Sequence, residues 1–420
     1  MYKYNQYTDS GLEWLGEIPA HWKMIPLSLC FSENKEINSS LSDITSLQFK
    51  QGEIIQKPET KFDSELAKVL EKYTIIKPND IIVNGLNLNY DFLTQRIAIA
   101  KQNGIITSAY ISLRPQKKIN PFYYCYYLKS MDFQKVLNGM GVGIRLTLSY
   151  NELKRIYIPL PPITEQDRIA KFLDFKCQQI DTTIAKIESI IDCLKEQRLM
   201  TIQTAITKGI NSEAKYTDSG VDWIDRIPSH WKVKKLKYAL KQINIKRSSI
   251  NNNLPYIGME NVESWTGKFI GSDSEVEGLS NYFHAGNVLF GKLRPYLAKV
   301  YRANTDGLCS TEFIVYDVLD NNSMYIQNLL LSPSFINIVN ASTYGSKMPR
   351  ANSNFIGNLK IAIPPPIEQK QIANYLNNIN KKIEAAIHLK QDEITHLKEY
   401  KHSLINSIVT GKIKITKDDE

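Results

Sequence analysis

Seventeen residues, YTDSGLEWLGEIPAHWK (Tyr7–Lys23), return 209 positions later as YTDSGVDWIDRIPSHWK (Tyr216–Lys232), with eleven identities that include both tryptophans. A second phrase repeats in the same order. LPPITEQDRIAKFL (Leu160–Leu173) comes back as IPPPIEQKQIANYL (Ile363–Leu376), and Glu165 matches Glu368 at an offset of 203. Two phrases repeated in order at nearly one offset mark an internal duplication whose ends kept their sequence while the middles drifted. The chain must therefore fold as two copies of one plan, each running phrase, variable middle, proline turn, long helix. With 420 residues, each copy has the length of a domain with its own core.

The helices are the clearest elements. In the first, prolines stop the preceding strand, and Thr164 is placed to cap, with Gln166 and Asp167 in the first turn. Apolar residues then fall at Leu173, Cys177, Ile180, Ile184, Ile187, Ile191 and Leu194, in alternating steps of four and three. That is a heptad seam, and at 1.5 Å per residue a helix from Glu165 to Ile206 runs roughly 60 Å. The second helix puts Leu376, Asn380, Ile383, Ile387, Lys390, Ile394 and Leu397 at the matching positions, so two of its seven seam residues are polar. A polar seam residue costs stability and fixes register. The economical arrangement pairs the two helices antiparallel within one chain; the alternative packs each on another subunit.

The middles, residues 27–157 and 237–361, share little sequence. Both alternate strand-like runs with turns: NDIIVNGLNLNY, QRIAIAK and IITSAYISLRP in the first, GNVLFGKLRPY and EFIVYDV in the second. Each continues with a helical run (PFYYCYYLKSMDFQKVL; SMYIQNLLLSPSFINIV), a glycine-and-basic loop (GMGVGIRLT; TYGSKMPRAN) and a last strand into the prolines. They read as two mixed α/β domains of similar plan and different surface. The remaining segments are 1–26 and 211–236, holding the first phrase, and 158–210 and 362–420, holding the proline turn and helix.

Composition excludes several function classes. Apolar content of 43% and charged content of 23% are those of a globular chain, and no run of about 18 apolar residues reads as a membrane span. The start, MYKYNQYTDS, lacks the apolar stretch of a secretory signal, and five scattered cysteines form no CxxC pair; a reducing cytoplasm fits. The formal charge of +9 favours a polyanionic partner. Its sharpest local excess is HWKVKKLKYALKQINIKR, whose ordinary reading is a solvated helix face.

Catalytic motifs are missing. GNVLFGKL (Gly286–Leu293) has the spacing of a phosphate-cradling loop, but Leu293 stands where a Ser or Thr hydroxyl would hold magnesium, and Val-Leu-Phe is strand-like. Asn120-Pro121-Phe122 is one proline short of the loop that grips an amino group in adenine methyltransferases, and reads instead as a helix start. Six histidines form no metal spacing. Glu33-Asn34-Lys35 lacks the upstream Pro-Asp of a nuclease. What remains is a binder, whose candidate readers are polar and basic residues on turns of the middles. In the second these are Lys292, Arg294, Tyr296, Lys347 and Arg350; in the first, Asn84, Asn87, Asn89, Arg96 and Arg145. Arg and Lys can grip guanine O6 and N7, Asn can pair with adenine N6 and N7, and either cation can neutralise phosphate. Stacking of bases on the tyrosines of PFYYCYYLKS is the lesser reading beside core packing.

Taken together, SGxxWxxxIPxHW twice and PPxxxEQxxIxxxL twice, each set followed by a seam helix, resemble the specificity (S) subunit of type I restriction-modification systems over nearly the whole chain. The resemblance implies an α+β fold with a pseudo-twofold internal repeat, in which two mixed α/β target recognition domains are separated by two long antiparallel coiled-coil helices. Each recognition domain would read one half of a split double-stranded DNA site. The helices would set the spacer and dock two methyltransferase (M) subunits, which translocating restriction (R) subunits join. It implies no cofactor in this chain: S-adenosylmethionine belongs to the M subunit, and ATP with Mg to the R subunit. GKLRPY matches a family position in the recognition domain, where the first half has NGLNLNY. Trp14, Pro19 and Trp22, with Trp223, Pro228 and Trp231, are then a repeated joint that packs each domain onto an end of the helices. Two rivals stand beside this reading: a structural coiled-coil adaptor with non-specific DNA binding, and a self-sufficient nuclease or methyltransferase.

Overall fold

The computed structural model describes residues 2–50, 52–58, 63–88, 95–116, 118–143, 146–248, 254–271, 278–345 and 347–416. The chain divides into two compact units, Met1–Lys186 with Asp392–Glu420, and Ile187–Gln391. Each unit thus takes one middle, one copy of the opening phrase, and a piece of both long helices.

Each unit carries a four-stranded antiparallel sheet of the same order. In the first unit neighbouring strands are Phe31–Glu33, Ile111–Pro115, Ile81–Val83 and Ile97–Ile99. In the second they are Lys241–Ile243, Phe313–Asp317, Val288–Gly291 and Val300–Arg302. The runs IIV and VLF are apolar throughout because both faces of these strands are covered. Ile81 and Val83 face a cluster with Tyr123, Tyr124 and Tyr127, while Ile82 joins Leu47, Ile76 and Ile106 on the other side. Val288 and Phe290 likewise pack with Tyr325 and Phe335, and Leu289 with Phe283 and Val315. The tyrosine-rich segment is the helix Pro121–Phe133, with Tyr123, Tyr124 and Tyr127 fully buried and their phenols raised in pKa by that burial. It is core and offers no platform for bases. The second unit breaks the equivalent run at Pro333 into helices Ser323–Leu331 and Pro333–Ala341, as a proline with no N–H to donate requires.

The long helices are Ile163–Lys208, 46 residues, and Pro366–Val409, 44 residues. The first begins ahead of Thr164, so Thr164 lies inside the opening turn and does not cap it. Within the first unit the two helices run antiparallel: Lys401 Nζ sits 2.7 Å from Asp181 and Arg168 Nη1 donates to the Ile415 carbonyl at 3.2 Å. Leu173, Cys177, Ile180 and Ile184 are buried there with Leu404, Ile405 and Ile408, and Ile394 and Leu397 pack against them half-buried. In the second unit Ile187, Ile191, Leu376 and Ile383 are buried, and Leu194 and Ile387 are half-buried. Asn380 of the seam leaves its buried Oδ1 without a hydrogen-bond partner. The run HWKVKKLKYALKQINIKR is no helix face. It forms the strand Lys232–Lys235, a single 3-10 turn Leu236–Tyr238 and the strands Lys241–Ile243 and Lys246–Ser248.

Candidate nucleic-acid interface

In both units one sheet strand ends in a tight turn that a loop from further along the chain braces. After Ile81–Val83 the turn runs Asn84 to Leu88, and after Val288–Gly291 it runs Lys292 to Tyr296. Asn87 has φ +51° and Arg294 φ +49°, left-handed values costly for residues with a Cβ, so the two turns share one backbone form. The bracing is shared too. Leu148 N donates to the Gly85 carbonyl at 2.8 Å, and Ala351 N donates to the Lys292 carbonyl at 2.9 Å. Gly85 is required here, since a Cβ would overlap the Leu148 carbonyl.

What the shared backbone presents differs. In the second unit Arg294, Tyr296 and Lys347 are exposed, Lys292 is half-buried, and Tyr344 and Met348 add two large exposed side chains. Arg350 stands apart: Glu312 accepts from its Nη2 at 3.0 Å and its Nε at 3.2 Å, which raises the guanidinium's pKa and fixes it as a brace under the loop. In the first unit Asn87 is exposed and Asn84 half-buried, with Asn84 Oδ1 accepting from Leu86 N at 3.2 Å. Asn89 and Arg145 lie outside the described residues.

Arg96 is a correction. It is 1% exposed, and its guanidinium donates to the carbonyls of Leu86 at 2.7 Å, Asn84 at 3.2 Å and Asn87 at 3.3 Å. Its backbone N–H donates to Asp132 Oδ2 at 2.8 Å. A planar fork with five donors can tie several carbonyls at once, so Arg96 moulds the turn from within and does not reach solvent. A strand-like run such as QRIAIAK gives no sign that its arginine faces inward.

The repeated phrases meet inside each unit. Glu165 accepts from Trp22 Nε1 and from the Tyr4 hydroxyl, both at 3.0 Å, and lies 2.7 Å from His21 Nε2. Burial and that carboxylate raise the pKa of the Tyr4 phenol, which keeps it a donor. In the second unit His230 Nε2 lies 2.7 Å from Glu368 Oε2, while Trp231 Nε1 is buried without a partner. The neighbouring glutamines do a second job. Gln166 Oε1 accepts from Asn120 N and Gln369 Oε1 from Asn322 N, both at 2.9 Å, and these asparagines cap the first helix after each sheet. Asn120-Pro121-Phe122 is thus a helix start. Trp22 and Trp231 are buried, as are Pro19 and Pro228; Trp14 and Trp223 are half-buried, with Trp14 against Tyr127 and Trp223 against Phe335. A glycine closes each joint: Gly411, just past the second long helix, packs on Pro19 and Trp22, and Gly209, just past the first, packs on Pro228 and Trp231. The sequence signal for the anchors was the exact return of His-Trp and Glu-Gln in both copies. No signal marked Glu312, Gly209 or Gly411.

Comparison with known proteins agrees with this layout. The chain is 24% identical over 378 residues to the type I restriction enzyme MjaVIII specificity subunit of Methanocaldococcus jannaschii, covering 84% of this chain and 83% of that one. It is 23% identical over 293 residues to the type I restriction enzyme EcoDI specificity subunit of Escherichia coli, covering 63% and 65%. A chain solved in work on complex assembly and conformational transition of the type I R-M system shares the fold, with TM-score 0.66, 14% identity and 94% and 99% of the two chains covered. The crystal structure of the HsdS subunit from Thermoanaerobacter tengcongensis gives 0.51 at 14% identity over 94% and 98%. The sequence model of the type I restriction modification DNA specificity domain matches residues 39–192 and again 228–396, and the chain therefore belongs to that family, as a specificity subunit with two copies in tandem.

Proposed function

We propose that each unit reads one half of a bipartite double-stranded DNA site through the turn that ends its central sheet strand. One observation carries this reading. Two turns with a left-handed residue at the same step and one backbone brace in common present asparagines in one unit and cations with a tyrosine in the other. A fixed scaffold with exchanged side chains is what two readers of different bases need, because base edges are told apart by donor and acceptor pattern. Arg294 and Lys347 are the readers assigned to the second half-site, with Tyr296 beside them; Asn84 and Asn87 serve the first. Arg350 and Arg96 hold those turns in shape.

The long helices act as the spacer between half-sites and as the seat for two M subunits, with R subunits joining the assembly in the cytoplasm. This chain is the non-catalytic member: methyl transfer with S-adenosylmethionine, and ATP- and Mg-dependent cleavage, fall to the partners. The test is Arg294→Ala with Lys347→Ala in the assembled methyltransferase, read by sequencing modified adenines in the host. The expected result is relaxed reading of one half-site, at about 1–3 kcal/mol per lost base contact, with the other half-site intact. Uniform weakening on all DNA assigns both side chains to phosphate. No binding of DNA by the assembled complex leaves the structural adaptor standing.

A further inference from the structure

The lysine-rich run after the second phrase has a twin in the first that lacks most of its lysines. Lys23–Pro26, the 3-10 turn Leu27–Leu29 and the strand that follows repeat as Lys232–Lys235, Leu236–Tyr238 and Lys241–Ile243. The backbones coincide. The residue entering the turn has φ −65°, ψ 141° at Pro26 and φ −68°, ψ 144° at Lys235. Leu27 N donates to the Ile156 carbonyl and Leu236 N to the Leu359 carbonyl, both at 2.8 Å. On this common frame Ile25, Pro26, Ser28 and Ser32 of the first unit correspond to Lys234, Lys235, Lys237 and Lys241 of the second. On the paired strand Tyr157 corresponds to Lys360. With Lys232 that makes six cations at positions where the first unit has one, Lys23; the first unit's own cations nearby are Lys154 and Arg155, in the places of Gly357 and Asn358, and Arg114 opposite Ser32, which Asp80 and Glu36 neutralise.

Nothing in the fold asks for these charges, because the first copy folds the same way without five of the six lysines. They also repel one another. Lys232, Lys235, Lys237, Lys241 and Lys360 are exposed and Lys234 is half-buried. Two carboxylates are near: Asp317 stands opposite Lys241 in strand register, and Asp320 lines a cleft with Lys232 and Lys234. Neither is within 4.0 Å of an ammonium, and among the described residues none of the six lysines has an ion-pair partner. Lys232 and Lys234 line one cleft and Lys237 and Lys241 another, so the lysines form a ridge with charge on both of its flanks; an unpaired cationic ridge that folding does not need belongs to a polyanion. A protein that bound both repeats alike would need the charges in both copies, which disfavours it.

We infer that this ridge grips the phosphate backbone of duplex DNA flanking the half-site read by the second unit, an inference that rests on the proposed recognition turn. Lys241 pairs with Asp317 at one end of the strand Phe313–Asp317; Phe313, at the other end, pairs with Gly291, next to Lys292. The turn and Lys241 thus lie at opposite ends of one sheet, about 13 Å apart at 3.3 Å per residue, which is about four base pairs of duplex, and the other lysines continue from Lys241 onto the strand pair beside it. The ridge adds affinity and carries no sequence information.

The test compares the full-length chain with a variant carrying Lys234→Gln, Lys235→Gln, Lys237→Ser and Lys241→Ser, the serines being those of the first copy. Two duplexes are used, one ending at the second half-site and one extended past it by about one helical turn, roughly 10 base pairs, each also with a scrambled site. Binding is measured from about 50 to about 200 mM salt. On the extended duplex the log–log salt slope is expected to fall by about 2 to 4, at about 0.9 per lost contact for two to four lysines, with the ratio of specific to scrambled affinity unchanged. The reciprocal variant Ser28→Lys with Ser32→Lys should steepen the slope on duplexes extended past the first half-site. An unchanged slope overturns the inference. So does an equal loss on the short duplex, or intact DNA binding with failed assembly with partner subunits, which would make the ridge a protein interface. If the unaltered chain does not discriminate specific from scrambled DNA, the recognition reading fails, while the slope on extended duplexes still decides the ridge.

Discussion

Glu165 and Glu368 occupy the same place in the repeat and do unequal work. Glu165 satisfies Trp22, Tyr4 and His21; Glu368 meets His230, and Trp231 goes without. Removing an acceptor that leaves buried donors unpaired costs about 1–3 kcal/mol, whereas an exposed ion pair contributes little. Glu165→Ala is therefore expected to lower stability by about 2 kcal/mol and Glu368→Ala by less than about 1 kcal/mol in urea titrations. Arg96 offers a second contrast. Arg96→Lys keeps the charge but cannot reach three carbonyls in a plane, so it should blur reading of the first half-site in the assembled methyltransferase while the second is read normally. Equal reading of both by the variant would remove Arg96 from the recognition apparatus. His402 supplies a pH dependence. It stacks on Phe133 at 3.7 Å, and burial, then Lys401 and Lys135, hold its pKa below the usual histidine value. The unfolded chain therefore binds the proton more readily, so the stability His402 contributes is complete above about pH 6.5 and falls as pH drops through its folded-state pKa. Thermal unfolding between about pH 7.5 and 5.5 should show a loss that His402→Leu reduces.

Among the elements, the ends and seams of the long helices decide most. Gly411 has φ +77°, and a Cβ there would overlap Pro19; at Gly209, φ +72°, the nearest atom to such a Cβ is Glu368 Oε1 at 3.2 Å. Both substitutions to alanine are strained, and Gly411→Ala should lower the melting temperature more than Gly209→Ala. Asn380 shows the opposite sign. With its buried Oδ1 unpartnered, Asn380→Leu is expected to raise stability by about 1 kcal/mol in urea titrations, the cost a polar seam residue exacts for register. The heptad steps showed where these helices would lie, because a seam writes its period into the residues that form it. The bracing of the two proposed reading turns left no such trace. Arg350 and Glu312 are 38 residues apart, and they meet because the loop holding Arg350 and the residue Glu312 both bond to the backbone of the turn, at Leu293 and Lys292.

At the scale of the molecule, the proposed function makes the helices a ruler. Inserting four residues, about 6 Å, at equivalent seam steps of both should lengthen the unspecified spacer by about one to two base pairs, read from modified adenines in the host. An unchanged spacer would separate the helices from site geometry. Duplication, helix length and family were all legible in the sequence, since each is a pattern of neighbouring residues. The turns after the central strands were legible too, as turns. Which arginines face water was not: Arg96 and Arg294 both read as exposed cations, and one is 1% exposed. The lysine run misread as a helix face for the same reason, since spacing alone does not show the partner strand Lys360–Ile363 that holds Lys232–Lys235 extended. The sequence by itself determined the repeat, the seams and the chemistry on offer. Only the tertiary structure decided which charges are buried as braces and which stand free, because burial and pairing depend on segments far apart in the chain.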